Sequence, residues 1–306
     1  MGVVAERRTD AFSRFAWGVL VYIFLVVLWG AYVRATGSGA GCGGHWPLCN
    51  GEIVPQSPAA ATIIEYGHRL SSGLALIAVT LLCGWAFRLY PRHHIVRRCA
   101  ALSIAFLVLE ALLGMGLVLL DYVAKNASAG RAAYLSAHLV NTQILLAMLA
   151  LTAWFSSVPG SVASLRSKPW PLVAALPVVM LVSVTGAIAA LGDTLYPATS
   201  VAEGFGREIA AGAQGLLRLR PLHPLFALAG GAFVLFAAHR RPTGKADPRI
   251  TAARLTILGL ILVQWIAGAL NIVLLAPVWM QIVHLLVANL IWVTLVILVA
   301  QIGRIE

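Results

Sequence analysis

Charge is what this sequence has least of. Only 11 % of its 306 residues are Asp, Glu, Lys or Arg, while 60 % are apolar. A water-soluble domain covers its surface with roughly 25 % charged residues. The length alone would allow one to three soluble domains, but this composition excludes them. Acidic residues are the scarcer sign, 11 against 22 Lys and Arg, for a net charge of +11. That excess does not describe a nucleic-acid binder, because the cations form no stripe along a soluble face. They sit in short segments between long apolar runs. The chain also lacks a small-residue cleavage site after its first apolar run, which is longer than a secretory signal core, so a cleaved signal peptide is not expected.

What is present is a series of apolar runs, near 15–33, 63–87, 100–120, 134–155, 172–191, 222–238, 250–274 and 278–302. Each is long enough to cross roughly 30 Å of hydrocarbon as a helix. The expected fold is all-α, a polytopic membrane protein of eight transmembrane helices. Orientation follows from Lys and Arg. Arg7, Arg8, Arg14, Arg88, Arg92, Arg97, Arg98, Arg166, Lys168, Arg240, Arg241, Lys245, Arg249, Arg254 and Arg304 fall on one side. Arg34, Arg69, Lys125, Arg131, Arg207, Arg218 and Arg220 fall on the other. The richer set marks the cytoplasm and places both termini there. Loops near 36–62, 121–133, 192–220 and 275–277 then face outward.

The chain repeats itself at an offset of about 150 residues. Gly30-Ala31 in the first run matches Gly186-Ala187 in the fifth, and His68 in the second matches His223 in the sixth. Leu109-Glu110-Ala111-Leu112-Leu113-Gly114 in the third matches Val263-Gln264-Trp265-Ile266-Ala267-Gly268 in the seventh. His138 and Asn141 in the fourth match His284 and Asn289 in the eighth. A unit of four spans re-enters the membrane in the same sense. The expectation is therefore two four-helix bundles, 1–160 and 161–306, related by a pseudo-two-fold along the membrane normal, with the boundary in the connector near 156–169.

Of eight histidines, His93, His94 and His239 lie in basic loops and His45 lies in an outer loop. His68, His138, His223 and His284 each sit near the outward end of an even-numbered span. Polar, ionisable groups inside a membrane are costly and functional by default. Two such histidines per half, on two helices of one bundle, suit a flat macrocycle clamped between imidazoles. Hard cations would require oxygen ligands, and zinc would normally add Cys or a third ligand; Cu or Zn on a His pair stays open. A bis-His heme has both axial positions filled, so it carries electrons readily and binds no O₂ without losing a ligand. If chemistry occurs, the two sites must differ.

They do differ. Glu65 and His68 are three residues apart and share a helix face, whereas the second half reads Pro221-Leu222-His223-Pro224. Glu65 is placed either to handle a proton beside a porphyrin edge or to pair with Arg69. Glu110 inside the third span has neutral Gln264 as its partner, and fits a proton path or an interhelical hydrogen bond. Cys42 and Cys49 lie in a glycine-rich outer loop on the oxidising side, where a disulfide is the default; free thiols, or a metal pair with His45, are the alternatives. Cys83 and Cys99 lie near cytoplasmic helix ends and read as reduced bystanders. Arg34, Arg69, Arg218 and Arg220 flank the His pairs, as candidate propionate contacts or as interfacial residues that snorkel.

At these residues the chain resembles the heme A synthase family, in its bacterial form of eight spans with a single Cys pair in the outer loop. The resemblance rests on Gly-Ala-Tyr-Val-Arg-Ala-Thr-Gly-Ser-Gly from Gly30, the Cys42-to-Cys49 loop ending Trp-Pro-Leu-Cys, the Glu65–His68–Arg69 cluster, and His138, His223 and His284. It implies oxidation of a ring methyl of heme O to the formyl group of heme A through hydroxylated intermediates. It implies substrate heme between His68 and His138, heme b between His223 and His284, Glu65 as the catalytic carboxylate, and a Cys42–Cys49 pair. Partners would be heme O, a heme O synthase, an electron-transfer protein and the lipid bilayer, with no nucleic acid. Two departures stand out: no second Cys pair in the carboxyl-terminal half, and Pro224 where an Arg often follows the histidine. The competing reading is a diheme b-type membrane cytochrome that only transfers electrons, and a third class is a transporter or heme-handling chaperone.

Overall fold

The computed structural model describes residues 2–158, 170–210, 215, 219–240 and 247–303. The helices are α1 (Gly2–Ala35), α2 (Ala60–Leu89), α3 (Ile95–Leu119), α4 (Ala129–Ser157), α5 (Trp170–Leu195), the short α6 (Val201–Ile209), α7 (Leu222–His239), α8 (Pro248–Val273) and α9 (Val278–Ile302). All but α6 are long and apolar enough to cross a membrane, and the described residues form no strand. This is the solution that lipid imposes: with no water to satisfy peptide groups, a spanning segment must satisfy them within itself. The expected eight spans are all present, and most extend a few residues past their apolar runs because polar caps lie outside them. The side chains of His94, Ser128 and Asp247 accept the N–H groups of Val96, Arg131 and Arg249 at the starts of α3, α4 and α8.

One element was not foreseen. The outer segment after α5, expected as a loop, contains α6. Ser200 accepts the N–H of Glu203, and Glu203 Oε2 accepts Thr199 N–H at 2.8 Å. This S-x-x-E cap nucleates a helix without needing an apolar run, which is why a search for spans passes over it. The proposed boundary between halves falls largely in 159–169, outside the described residues, as do Arg166, Lys168, Arg218, Arg241, Lys245 and Arg304.

The helices pack as two quartets with matching neighbours. In the first, α1 contacts α2, α2 contacts α3, α3 contacts α4, and α4 returns to α1. In the second, α5, α7, α8 and α9 close the same ring. The quartets meet through α1, α4, α5 and α9. This explains why 72 % of the most apolar stretch of α4 and 44 % of that of α9 are buried, against 17 % of each of α3 and α8. Polar contacts mark the seam. Trp292 on α9 donates its indole N–H to Gln143 O on α4 at 2.6 Å, and Gln143 Nε2 donates to Ser183 Oγ on α5 at 2.7 Å. At the C-terminal end of α1 Arg34 donates to Ala190 O, Thr194 Oγ1 and Gln281 Oε1 at 2.9–3.0 Å.

Close approach within a quartet is set by glycine. A Cβ at Gly230 of α7 would lie 2.6 Å from Val182 Cγ2 of α5, whereas one at Gly73 of α2 would meet nothing within 4 Å. Gly230→Ala is therefore expected to separate α5 from α7 and lower the thermal midpoint in detergent. Gly73→Ala, which adds helix propensity worth about 0.5–1 kcal/mol, should leave the midpoint unchanged or raise it.

Candidate heme sites near four helix N-termini

His68 and His138 stand about two turns inside the starts of α2 and α4; His223 and His284 lie in the first two turns of α7 and α9. Each faces a glycine on a neighbouring helix. A Cβ at Gly30 would lie 2.9 Å from Cε1 of His68, and a Cβ at Gly186 would lie 2.9 Å from Cε1 of His223. At Gly268 it would be 3.3 Å from Cε1 of His284, and at Gly114 3.9 Å from Nε2 of His138. Four histidines are thus seated against four glycines at matching places in the two quartets. The His223 and His284 rings lie 6.3 Å apart, centre to centre. The Nδ1 atoms of His68, His138 and His284 are buried without a hydrogen-bond partner, although that of His138 lies 2.9 Å from Glu110 Oε1, a state that costs free energy unless something else binds the ring.

These features fit a heme. Among the described residues no three His, Cys, Asp or Glu side chains converge as a metal cage. A structural zinc takes four protein ligands, but a porphyrin iron brings four of its own and asks the protein for two axial ones. Thr185 orients one of these four rings. Its hydroxyl donates to Val182 O at 2.8 Å, so at 3.1 Å it accepts from His223 Nδ1–H. That fixes the tautomer with the Nε2 lone pair free.

The first site is covered by a cross-linked loop. Cys42 and Cys49 form a disulfide, while Cys83 and Cys99 are free and buried. Glu65, only 4 % exposed, fastens the loop to α2. Its Oε2 accepts Cys42 N–H at 2.9 Å, and its Oε1 accepts Arg69 Nε–H at 3.1 Å. Arg69 then donates Nη1–H to His45 O and Leu48 O at 2.6 and 2.7 Å. Thr62 donates to Gly41 O at 2.7 Å, and Gly41 lies so close to the Ala61 backbone that no side chain fits there. Both readings of the Glu65 spacing therefore meet in one residue: it pairs with Arg69 and it sits one helical turn from His68.

The candidate propionate cations already carry protein partners. Arg69 is shared among Glu65 and two carbonyls, Arg34 joins the quartets, and Arg220 pairs with Asp193 and Glu208. A propionate at Arg69 or Arg220 would have to displace a carboxylate. Arg218 lies outside the described residues. The sequence reading did not anticipate the contacts of Arg34 with α5 and α9, since nothing in the pattern around it specifies a partner some 150 residues away.

A family model described as cytochrome oxidase assembly protein, COX15-CtaA, matches residues 13–296. The chain belongs to this family. Within known proteins, a Thermus thermophilus protein named protoheme IX farnesyltransferase is 46 % identical over 301 residues, covering 95 % of this chain and 49 % of that protein. Its counterpart from a second strain of the same species is 45 % identical over the same extent. A Bacillus cereus heme A synthase is 50 % identical over 96 residues, 31 % of each chain. The chain thus spans about half the length of the Thermus relatives it matches. Membership in a cytochrome oxidase assembly family accords with the His pairs, the loop cysteines and the multi-pass membrane architecture.

The loop's attachment is directly testable. Glu65→Ala strands Cys42 N–H and releases Arg69, removing charge-assisted hydrogen bonds worth about 1.5–3 kcal/mol each. Reduction of the Cys42–Cys49 bond by dithiothreitol, followed by thiol alkylation, should run about tenfold faster or more in the variant. An unchanged rate would mean that Glu65 does not hold the loop.

Proposed function

We propose that this chain is a heme A synthase, an oxidoreductase that converts a ring methyl of heme O into a formyl group. The observation that carries the reading is the asymmetry of two otherwise matching sites. Both have a histidine pair seated on glycines, but among the described residues only the first has a carboxylate on the histidine's own helix, one turn before it, and a disulfide-bonded loop beside it; Asp193 and Glu208 near His223 are paired with Arg220. On this reading heme O lies between His68 and His138 in the half 1–160. His223 and His284 hold heme b in the half 161–306. The halves are related by a pseudo-two-fold along the membrane normal. Family membership and the Bacillus heme A synthase support the same activity.

The chemistry sets what the residues must do. The methyl plus one water becomes a hydroxymethyl, with loss of two electrons and two protons. A second such oxidation gives a geminal diol, which loses water to leave the aldehyde. O₂ in place of water as the oxygen source changes the electron count but not the product. His68 and His138 hold and orient the macrocycle; Glu65 takes up protons released at the methyl and steadies positive charge developing there. The Cys42–Cys49 loop covers the outer mouth and limits bulk water. Heme b, when bound, supplies one-electron redox capacity, and His223, held by Thr185, presents Nε2 to it. The electrons leave to a membrane electron-transfer partner. The termini are cytoplasmic and both sites face outward, following the distribution of Lys and Arg.

The name borne by the Thermus relatives raises a second activity, prenyl transfer. A diphosphate with Mg²⁺ needs clustered carboxylates, and the four aspartates here, Asp10, Asp121, Asp193 and Asp247, are each more than 50 residues from the next, so the chain carries no aspartate-rich motif. A heme O synthase activity that supplies heme O is the partner this reading implies.

The test is heme extraction and chromatography from host membranes that make heme O, with and without the protein. Heme A is expected only with it. Glu65→Ala should retain bound heme while conversion falls by about 10²–10⁴-fold. Heme bound by the wild type without heme A or a hydroxylated intermediate, given oxygen and a competent electron partner, would support the diheme electron-transfer cytochrome instead. Under that alternative Glu65→Ala changes nothing.

A further inference from the structure

The four histidines differ in what stands behind them. Nδ1 of His138 on α4 lies 2.9 Å from Oε1 of Glu110 on α3. The same carboxylate takes the side-chain amide of Asn141 through Oε2 and the hydroxyl of Thr142 through Oε1. Asn141 also donates to Phe106 O at 2.9 Å, which ties its amide to the α3 backbone. Side chains of three residues of one helix thus converge on the two oxygens, and the Asn141 N–H makes the carboxyl an acceptor, while the Thr142 hydroxyl also reaches His138 O at 2.9 Å. His138 Nδ1 is within ion-pair distance of Oε1 but outside hydrogen-bond geometry; an Nδ1–H turned to the carboxylate leaves the Nε2 lone pair free, and Nε2 is the atom that faces Gly114.

No other histidine has this support. In the second half α8 carries Gln264, whose amide nitrogen lies 3.0 Å from Nε2 of His284, while Nδ1 of that ring has no partner. His223 has neutral partners, the hydroxyl of Thr185 and the Val182 backbone. His68 has an unpartnered Nδ1. One ligand of the four carries an anionic acceptor, and it belongs to the half with Glu65 and the disulfide loop.

We propose that Glu110 is a positioning residue of the first site. It locks His138 with Nε2 toward the iron of the bound substrate heme and draws on the Nδ1–H proton, so that His138 becomes the strongest donor among the four imidazoles. A carboxylate behind a metal-bound histidine raises the ligand's basicity, and its loss typically costs 10–100-fold in affinity. A stronger donor favours the ferric iron, so the heme in the first half has a lower reduction potential with Glu110 than without it. His138 is then the fixed ligand and His68 the weaker one. This inference rests on the reading of His68 and His138 as axial ligands of substrate heme.

The test uses the full chain purified with heme in both sites, followed by redox titration of its visible spectrum and by heme release to apomyoglobin. In Glu110→Gln the first-half heme should be released about 10–100-fold more readily, and its midpoint should rise while the second heme's stays in place. Thr142→Val, which removes one hydrogen bond to the carboxylate but keeps its charge, should leave the midpoint unmoved. A first-half midpoint indifferent to Glu110→Gln, or displaced equally by Thr142→Val, overturns the proposal. Should Glu110→Gln fail to accumulate, His68→Ala and His223→Ala leave five-coordinate ferrous hemes on His138 and His284. The iron–imidazole stretching frequency should be higher on His138, and equal frequencies would overturn the proposal. His138→Ala separates the two levels of inference. If that variant keeps both hemes, the assignment of the ligands has failed. If it loses one heme that is nevertheless indifferent to Glu110→Gln, only the role of Glu110 has failed.

Discussion

The structure depends on one steric constraint: a side chain that must reach between packed helices needs a neighbouring helix with no side chain at that level. Lipid forces the chain into helices whose peptide groups are satisfied internally, and close-packed helices leave no room for a ligand unless room is built in. Here it is built in by Gly30, Gly114, Gly186 and Gly268, each opposite one of four histidines. The histidines stand near the N-terminal ends of α2, α4, α7 and α9, the two matching pairs of the two quartets. The proposed porphyrin sites follow from this arrangement, because the pairs supply the two axial ligands that a heme iron needs and no more.

On that common plan the first half carries its own additions. Glu65 joins α2 to the disulfide loop through Cys42 N–H and holds Arg69, which in turn binds the loop carbonyls of His45 and Leu48. Glu110 stands behind His138 where the second half has Gln264. Each buried carboxylate costs desolvation in a membrane, and each is met by several polar groups. A site used only for electron transfer would not need either. The concentration of both carboxylates and the covalent loop on one His pair accords with substrate chemistry there and with a relay role for the other pair. The seam between the quartets, made by Trp292, Gln143, Ser183 and Arg34, keeps the two sites in fixed relation.

Much of this was legible in the sequence, for physical reasons that can be named. Run length defines spans because hydrocarbon thickness is fixed, so all eight membrane helices were found. The repeat exposed the four histidines because a duplicated site keeps its ligands at a similar offset, and it also matched Gly30 with Gly186 and Gly114 with Gly268. Their purpose became visible only with the packing, since a glycine's neighbour on another helix is not written near it. The α6 helix escaped because its stability comes from a cap at Ser200 and Glu203 rather than from apolar length. The cations were the least readable. Arg34, Arg69 and Arg220 were open as propionate contacts, and the structure finds them engaged by carbonyls, an amide and carboxylates. A long side chain at a helix end can reach several partners, and sequence spacing does not choose among them.

The account's central claim is that this chain holds two hemes, one on each histidine pair, through ligands that act independently. Heme content per chain, measured as the pyridine hemochrome of protein purified from cells that make heme O, tests it most directly. The account predicts two hemes in the wild type, one in Gly30→Val and one in Gly186→Val, with different spectra for the heme that remains. A wild type that holds a single heme, or glycine variants that both keep two, would contradict it.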